Sequence, residues 1–99
     1  MTDEEYWEPP ETIEVPITDV LDLHWFRPNE IGSLIPEYLT EALAAGFTRV
    51  RIVHGKGTGA LRKGVHKVLE RDPRVERFEM AGDRGAWGAT IAHLKVDGD

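Results

Sequence analysis

Asp22 and His24 stand at the end of one short apolar run, Val20-Leu21-Asp22-Leu23-His24, and His54 closes a second, Val50-Arg51-Ile52-Val53-His54. Gly55-Lys56-Gly57-Thr58-Gly59 follows His54 at once. These residue types suit phosphodiester chemistry. Cleaving such a bond needs an activator for the nucleophile, a proton donor for the leaving oxygen and positive charge on the phosphorane. Two imidazoles that titrate near neutrality can fill the first two roles. On a strand, Asp22 and His24 project to the same face, so the carboxylate could orient His24 or itself take a proton. Lys56, Arg62 and the backbone N–H groups of Gly57–Gly59 would hold the phosphate. With RNA as substrate the 2′-OH supplies an internal nucleophile and no metal is needed. A metal route would use Asp22, His24 and His54 as a nitrogen–oxygen ligand set, which suits several divalent ions without selecting one. The metal-free route ranks above it, so no cofactor is expected beyond that divalent ion.

Plainer readings stand beside these. A strand-terminal histidine is often a satisfied structural group, Asp22 can simply accept hydrogen bonds at a sheet edge, and the glycines can serve positive φ alone. Two familiar phosphate loops are excluded. Gly55-x-Gly57-x-Gly59 is not GxGxxG, and the segment lacks the GK[ST] ending of a Walker loop.

The elements that must position these residues follow from periodicity. Strand one is expected at about Val20–His24. Leu34, Ile35, Tyr38, Leu39, Ala42 and Leu43 form a helical stripe. Pro36 belongs in the first turn of that helix, which makes Ser33 the expected N-cap, Arg27–Gly32 a loop and Gly46 the C′ residue. Strand two spans Arg49–Val53. Helix two runs from Ala60 to Arg71, burying Leu61, Val65, Val68 and Leu69 and presenting Arg62, Lys63, His66, Lys67 and Arg71 on its other face. Asp72-Pro73 ends it. Strand three is Val75–Met80, and after the polar turn Gly82–Gly88 strand four is Ala89–Val96. The order is βαβαββ. If strands one and two are parallel and joined by helix one, both imidazoles reach the carboxyl edge of one sheet, where open α/β sheets bind ligands.

Ninety-nine residues, 40% hydrophobic and 30% charged, make one globular domain. No run approaches the roughly 18 apolar residues of a membrane span. The acidic N-terminus has no apolar signal region and the chain has no cysteine, so a cytoplasmic protein without disulfides or thiolate metal sites is expected. The net charge of −6 is unevenly spread: residues 1–19 carry seven acids and no base, an acidic extended or partly disordered arm before a domain at 20–99. Residues 49–77 carry nine bases against three acids. Such asymmetry fits a polyanion partner. Arg62, Lys63 and Lys67 beside the glycine loop favour phosphate contact over a merely solvated face. Arg84 and Trp87 on the last turn are candidates for stacking on an unpaired base, Trp87 equally for capping the core.

LDLH at 21–24 and HGKGTGALR at 54–62 resemble the two signatures of the small MutS-related (Smr) domain, LDLHG and HGxG, the second usually extended as HGxGTGxLR. GATIAHLK at 88–95 is similar to the closing strand of that domain, so the likeness covers about residues 20–96. The resemblance implies a two-layer α/β sandwich with a four-stranded, mostly parallel mixed sheet, like the C-terminal domain of translation initiation factor three. It implies nucleic-acid binding and, in several members, endonuclease activity on RNA or DNA. The residues it assigns to cleavage are Asp22 and His24, and the loop it assigns to substrate binding is His54-Gly55-Lys56-Gly57. The expected reading is an endonuclease or nicking enzyme; the alternative is a non-catalytic nucleic-acid or ribosome-binding module using the same loop. One residue departs from the pattern: Trp25 stands where the family has glycine. It either reshapes the pocket beside His24 or offers a stacking platform.

Overall fold

The computed structural model describes residues 17–55, 59–82 and 88–95. Four strands and two helices follow in the order β1 (Val20–Asp22), α1 (Ile31–Ala44), β2 (Arg49–Val53), α2 (Ala60–Arg71), β3 (Val75–Met80) and β4 (Ala89–Leu94). The sheet order is β1-β2-β4-β3. β1 and β2 are parallel, with Asp22 opposite Val53. β4 inserts antiparallel between β2 and β3, which sets Thr90 between Ile52 and Met80. Three strands therefore run one way, as expected of a mostly parallel mixed sheet, although the β4 insertion leaves one parallel pairing and two antiparallel ones.

Alternation along the strands sends Val50, Ile52, Ala92 and Leu94 into one core with Ile35, Leu39 and Ala42 of α1 and Val65 and Leu69 of α2. Both helices lie on this face. The opposite face carries a smaller cluster of Ala81, Ala89 and Ile91 with Val53 against it. The helices approach closely at Gly64, where an added Cβ would lie 2.8 Å from Ile31 Cδ1. That contact accounts for a glycine inside a helix, a position otherwise disfavoured by about 1 kcal/mol.

Helix two and strands two and three have the expected limits. α1 ends in a Schellman arrangement: the Gly46 N–H donates to the Leu43 carbonyl (3.0 Å) and the Phe47 N–H to that of Ala42 (2.9 Å).

Three boundaries differ from expectation. β1 stops at Asp22, because Leu23–Trp25 turn into a 3-10 helix that Asp22 caps. α1 begins at Ile31 behind a second 3-10 turn, Pro28–Glu30, so Ser33 is inside the helix and not its cap. Pro36 then sits in the helix interior, unable to donate to the Gly32 carbonyl, a defect of about 3 kcal/mol. Burial of Ile31 against α2 offsets much of it, at about 1.5–3 kcal/mol for such a side chain. β4 ends at Leu94, and Val96 lies outside the described residues.

The last residues of the expected arm belong to the domain. Ile17 packs on the core, the Tyr38 hydroxyl donates to the Thr18 carbonyl at 2.6 Å, and the Arg51 N–H donates to that of Asp19 at 2.8 Å. Burial, reinforced by the Asp19 carboxylate, pushes the Tyr38 phenol up to about 12. Residues 1–16 of the arm lie outside the described residues. Among the described residues no helix is long and apolar enough to cross a membrane.

Candidate functional site

The parallel register carries two segments to the same sheet edge: the turn after β1, with Asp22 and His24, and the loop after β2, with His54 and Gly55. Neighbouring strands lie about 4.8 Å apart, so the two segments leave the sheet side by side. Asp22 accepts the His24 N–H on Oδ1 at 2.9 Å, and the Phe26 N–H closes the turn on the Leu23 carbonyl at 3.0 Å. Buried Leu23 anchors it. Asp22 therefore acts on the backbone of His24. The expectation that both side chains share a strand face fails because the strand has already ended. Both residues are exposed.

His54 is placed quite differently. Its own N–H and that of Gly55 both donate to the Gly88 carbonyl at 2.9 Å, tying the loop to the start of β4. The residue is 8% exposed, and both ring nitrogens have partners. Nδ1 lies 3.0 Å from the Gly55 carbonyl, which can only accept, so Nδ1 carries a hydrogen and donates. In the neutral ring Nε2 is then an acceptor, and the Thr90 hydroxyl, 2.9 Å away, donates to it. The alternative acceptor for that hydrogen, Met80 Sδ at 3.8 Å, is more distant and weaker. Thr90 Oγ1 in turn accepts from His66 Nε2 at 2.8 Å. The result is one directed chain, His66 to Thr90 to His54 to Gly55. Burial holds the His54 pKa below the ordinary histidine value, with Arg62 adding to it and the Gly55 carbonyl opposing. Burial likewise lowers that of His66, helped by His54 and Arg62 and opposed by Glu70. Both shifts favour the uncharged ring at neutral pH.

His66 was expected on the solvated face of helix two. It is half-buried, against Phe78 at 4.8 Å between ring centres and beside His54 at 6.3 Å. Its place in the helix carries the signal for this: one residue past Val65, at the margin of the buried stripe.

The glycine loop needs its glycines at two described positions. Gly55 has φ +82° and Gly59 φ +91°, the left-handed region that side chains disfavour. Gly59 is also the N-cap of α2 and supplies no capping side chain, so the positive end of the helix dipole faces the loop. The Arg62 guanidinium folds over Gly59, 3.1 Å from where a Cβ would stand. Its charge also lowers the pKa values of both histidines. Lys63 is exposed on the next position. Lys67 is turned elsewhere, onto a groove between the helices that it lines with Ile31, Pro36, Val68 and Arg71. None of Asp22, His24, His54, His66 and Thr90 lines that groove. Lys56, Gly57, Thr58, Arg84 and Trp87, all expected at the site, lie outside the described residues. Among the described residues no group of three or more His, Asp or Glu converges to hold a metal ion, so Asp22, His24 and His54 do not form one.

Two histidine-bearing loops on adjacent parallel strands, the second opening a basic helix, are the arrangement that the two signatures imply. Residues 21–95 match the Smr domain family. The chain belongs to that family. Among curated relatives, this Smr domain is 44% identical over 85 residues to the endonuclease MutS2 of Pediococcus pentosaceus, covering 85% of the chain and 11% of that protein. It is 48% identical over 77 residues to the endonuclease MutS2 of Bacillus velezensis, covering 76% and 10%. The chain thus spans about a tenth of the length of these relatives. Among solved structures, the Smr domain of Thermus thermophilus MutS2 superimposes with a TM-score of 0.71 at 37% identity, covering 79% of this chain and 99% of that one. YdaL, a stand-alone small MutS-related protein from Escherichia coli, superimposes at 0.70 with 25% identity, covering 83% and 68%.

Proposed function

We propose that this Smr domain binds nucleic acid by gripping a backbone phosphate at the Gly55–Gly59 loop and nicks the phosphodiester bond held there, with His24 as the acid–base group. The observation that carries the reading is the juxtaposition, at one sheet edge, of the exposed Asp22–His24 turn and the Arg62-covered N-terminus of α2. An anion at that helix terminus meets N–H donors, the positive end of the dipole and a guanidinium. The relatives named endonuclease MutS2 support the reaction class.

The residues divide the work. His24 is exposed beside the phosphate seat, where it can move a proton to or from a bound oxygen. Asp22 holds the turn that presents it. His54 has both nitrogens committed inside the protein, so it shapes the loop and does not meet the substrate. His66 and Thr90 fix its tautomer. Lys56 and Lys63 add charge to the phosphate seat.

The commitment of His54 also favours a second reading, a nucleic-acid-binding module without cleavage, because it leaves His24 alone as the exposed imidazole of the site. Labelled RNA and structured DNA, incubated with the protein with and without EDTA, separate the two. Cut products support the nuclease, and their ends report whether a 2′,3′-cyclic phosphate forms. Intact substrate with salt-sensitive binding leaves the binding module. Binding indifferent to salt overturns both, since counterion release makes phosphate contacts steeply salt-dependent.

A further inference from the structure

Trp25 is 84% exposed, with Phe26 at 38% and Val20 at 43%. Among the described residues these are the large hydrophobic side chains left in water, and all three fall within seven positions around Asp22 and His24. Trp25 is not on a loose segment. It sits in a 3-10 turn held by the Asp22 cap, by the Phe26 N–H on the Leu23 carbonyl and by buried Leu23. The His24 ring meets the indole at 5.6 Å with the planes 64° apart. An edge-on neighbour leaves indole surface open, as the exposure requires. Among the described residues no packing explains a tryptophan here.

What covers it is set by its surroundings. The His24 ring lies against it, and the polar residues that follow in the chain, Arg27, Asn29 and Glu30, are all exposed. The apolar surface is thus one indole with the edge of a phenyl ring, set among polar groups. The core of a protein interface is a larger area depleted of charge. A nucleobase needs only one open aromatic face and tolerates charged neighbours, since every base has a π-face to stack. The phosphate seat opens from the adjacent strand at the same edge.

We infer that Trp25, flanked by Phe26, is a stacking platform for an unpaired base of single-stranded nucleic acid whose backbone lies on the glycine loop. The inference rests on the nucleic-acid reading above and adds a preference for single strands over paired ones. Bases in a duplex are already stacked and cannot lie on the indole without being unpaired. Stacking makes no use of the 2′-OH, so RNA and DNA oligonucleotides should depend on Trp25 alike.

The test uses 12-nucleotide RNA and DNA strands carrying a central 2-aminopurine, and a blunt duplex of the same sequence. Wild type, Trp25→Ala and Trp25→Phe are titrated at two salt concentrations, and sedimentation velocity follows their association state. The expected result is quenching of 2-aminopurine by wild type and a loss of about tenfold in single-strand affinity in Trp25→Ala, within the range per stacked base. Trp25→Phe should keep most of both, and duplex binding should change less than about twofold. Equal single-strand affinity in wild type and Trp25→Ala overturns the inference, as does an equal loss on strand and duplex. A dimer that dissociates in Trp25→Ala, with single-strand binding intact, makes the patch a protein contact and also overturns it. If wild type binds neither substrate in a salt-sensitive way, the nucleic-acid reading itself has failed. That result is distinct, because it does not depend on residue 25.

Discussion

Replacing Thr90 by valine keeps the shape of a fully buried side chain and removes the hydroxyl that joins His66 to His54. The two hydrogen bonds lost are unequal. His66 is half-buried and can turn its Nε2–H toward water. His54 is 8% exposed and is left with an acceptor nitrogen that water cannot easily reach. An unsatisfied buried polar atom costs about 1–3 kcal/mol, against about 1 kcal/mol for a neutral hydrogen bond exchanged with solvent. The added methyl recovers a fraction of this. The expected net loss is about 2 kcal/mol, or about 8–16 °C in Tm for a domain of this size. Urea unfolding at pH 7.5 measures it, with the m-value unchanged if only the native network is affected. Thr90→Ser restores the hydroxyl and should lose no more than about 1 kcal/mol, the worth of a buried methyl. If Thr90→Val is as stable as wild type, or Thr90→Ser is as damaged as Thr90→Val, the hydroxyl is not what holds His54 and the chain of hydrogen bonds is refuted.

Three further outcomes follow from the same geometry. His54 and His66 have pKa values below those of the unfolded chain, so the unfolded state binds protons first; stability should be flat above about pH 6.5 and fall as pH drops below it, by at most about 1.4 kcal/mol per pH unit for each ring. Denaturant titrations at pH 7.5, 6 and 5 check this, and His66→Asn should make the decline shallower. Gly59→Ala puts a side chain at φ +91° and against Arg62, a strain of about 1–3 kcal/mol that should weaken nucleic-acid binding measured by anisotropy as the loop shifts. Gly64→Ala puts a methyl 2.8 Å from Ile31 Cδ1, so the end of that side chain must shift; overpacking of about 1–3 kcal/mol offsets or outweighs the gain in helix propensity of about 1 kcal/mol, and a Tm no higher than wild type is the expected reading.

Much of the fold was legible because β2, α2 and β3 carry strong periodicity and end on clear stops, Gly46 before β2 and Asp72-Pro73 after α2. What local pattern hid was local competition. Asp22 reads as a strand residue, yet its carboxylate captures the His24 N–H and ends the strand there. Pro36 reads as a first-turn residue, yet packing of Ile31 on Gly64 draws the helix start back to residue 31. His66 reads as part of a basic face, but the partner that buries it, Thr90, is 24 residues away on β4. Pairing across a sheet is invisible to spacing along the chain. At the site, matching positions at two strand ends make the histidines look alike, and only the resemblance gives them different roles, His24 to cleavage and His54 to the binding loop. In the structure His24 is exposed on a capped turn, and His54 is buried with both ring nitrogens hydrogen-bonded.

The most direct measurement compares cleavage and binding for wild type and His24→Ala on the same labelled strand. Single-turnover rates and affinities are taken in parallel. Loss of a general acid–base group lowers rates by about 10²–10⁴, and the phosphate seat at the loop and α2 does not include His24. The account predicts cleavage at least about 100-fold slower with affinity changed less than about threefold. Equal cleavage rates for the two proteins would contradict it.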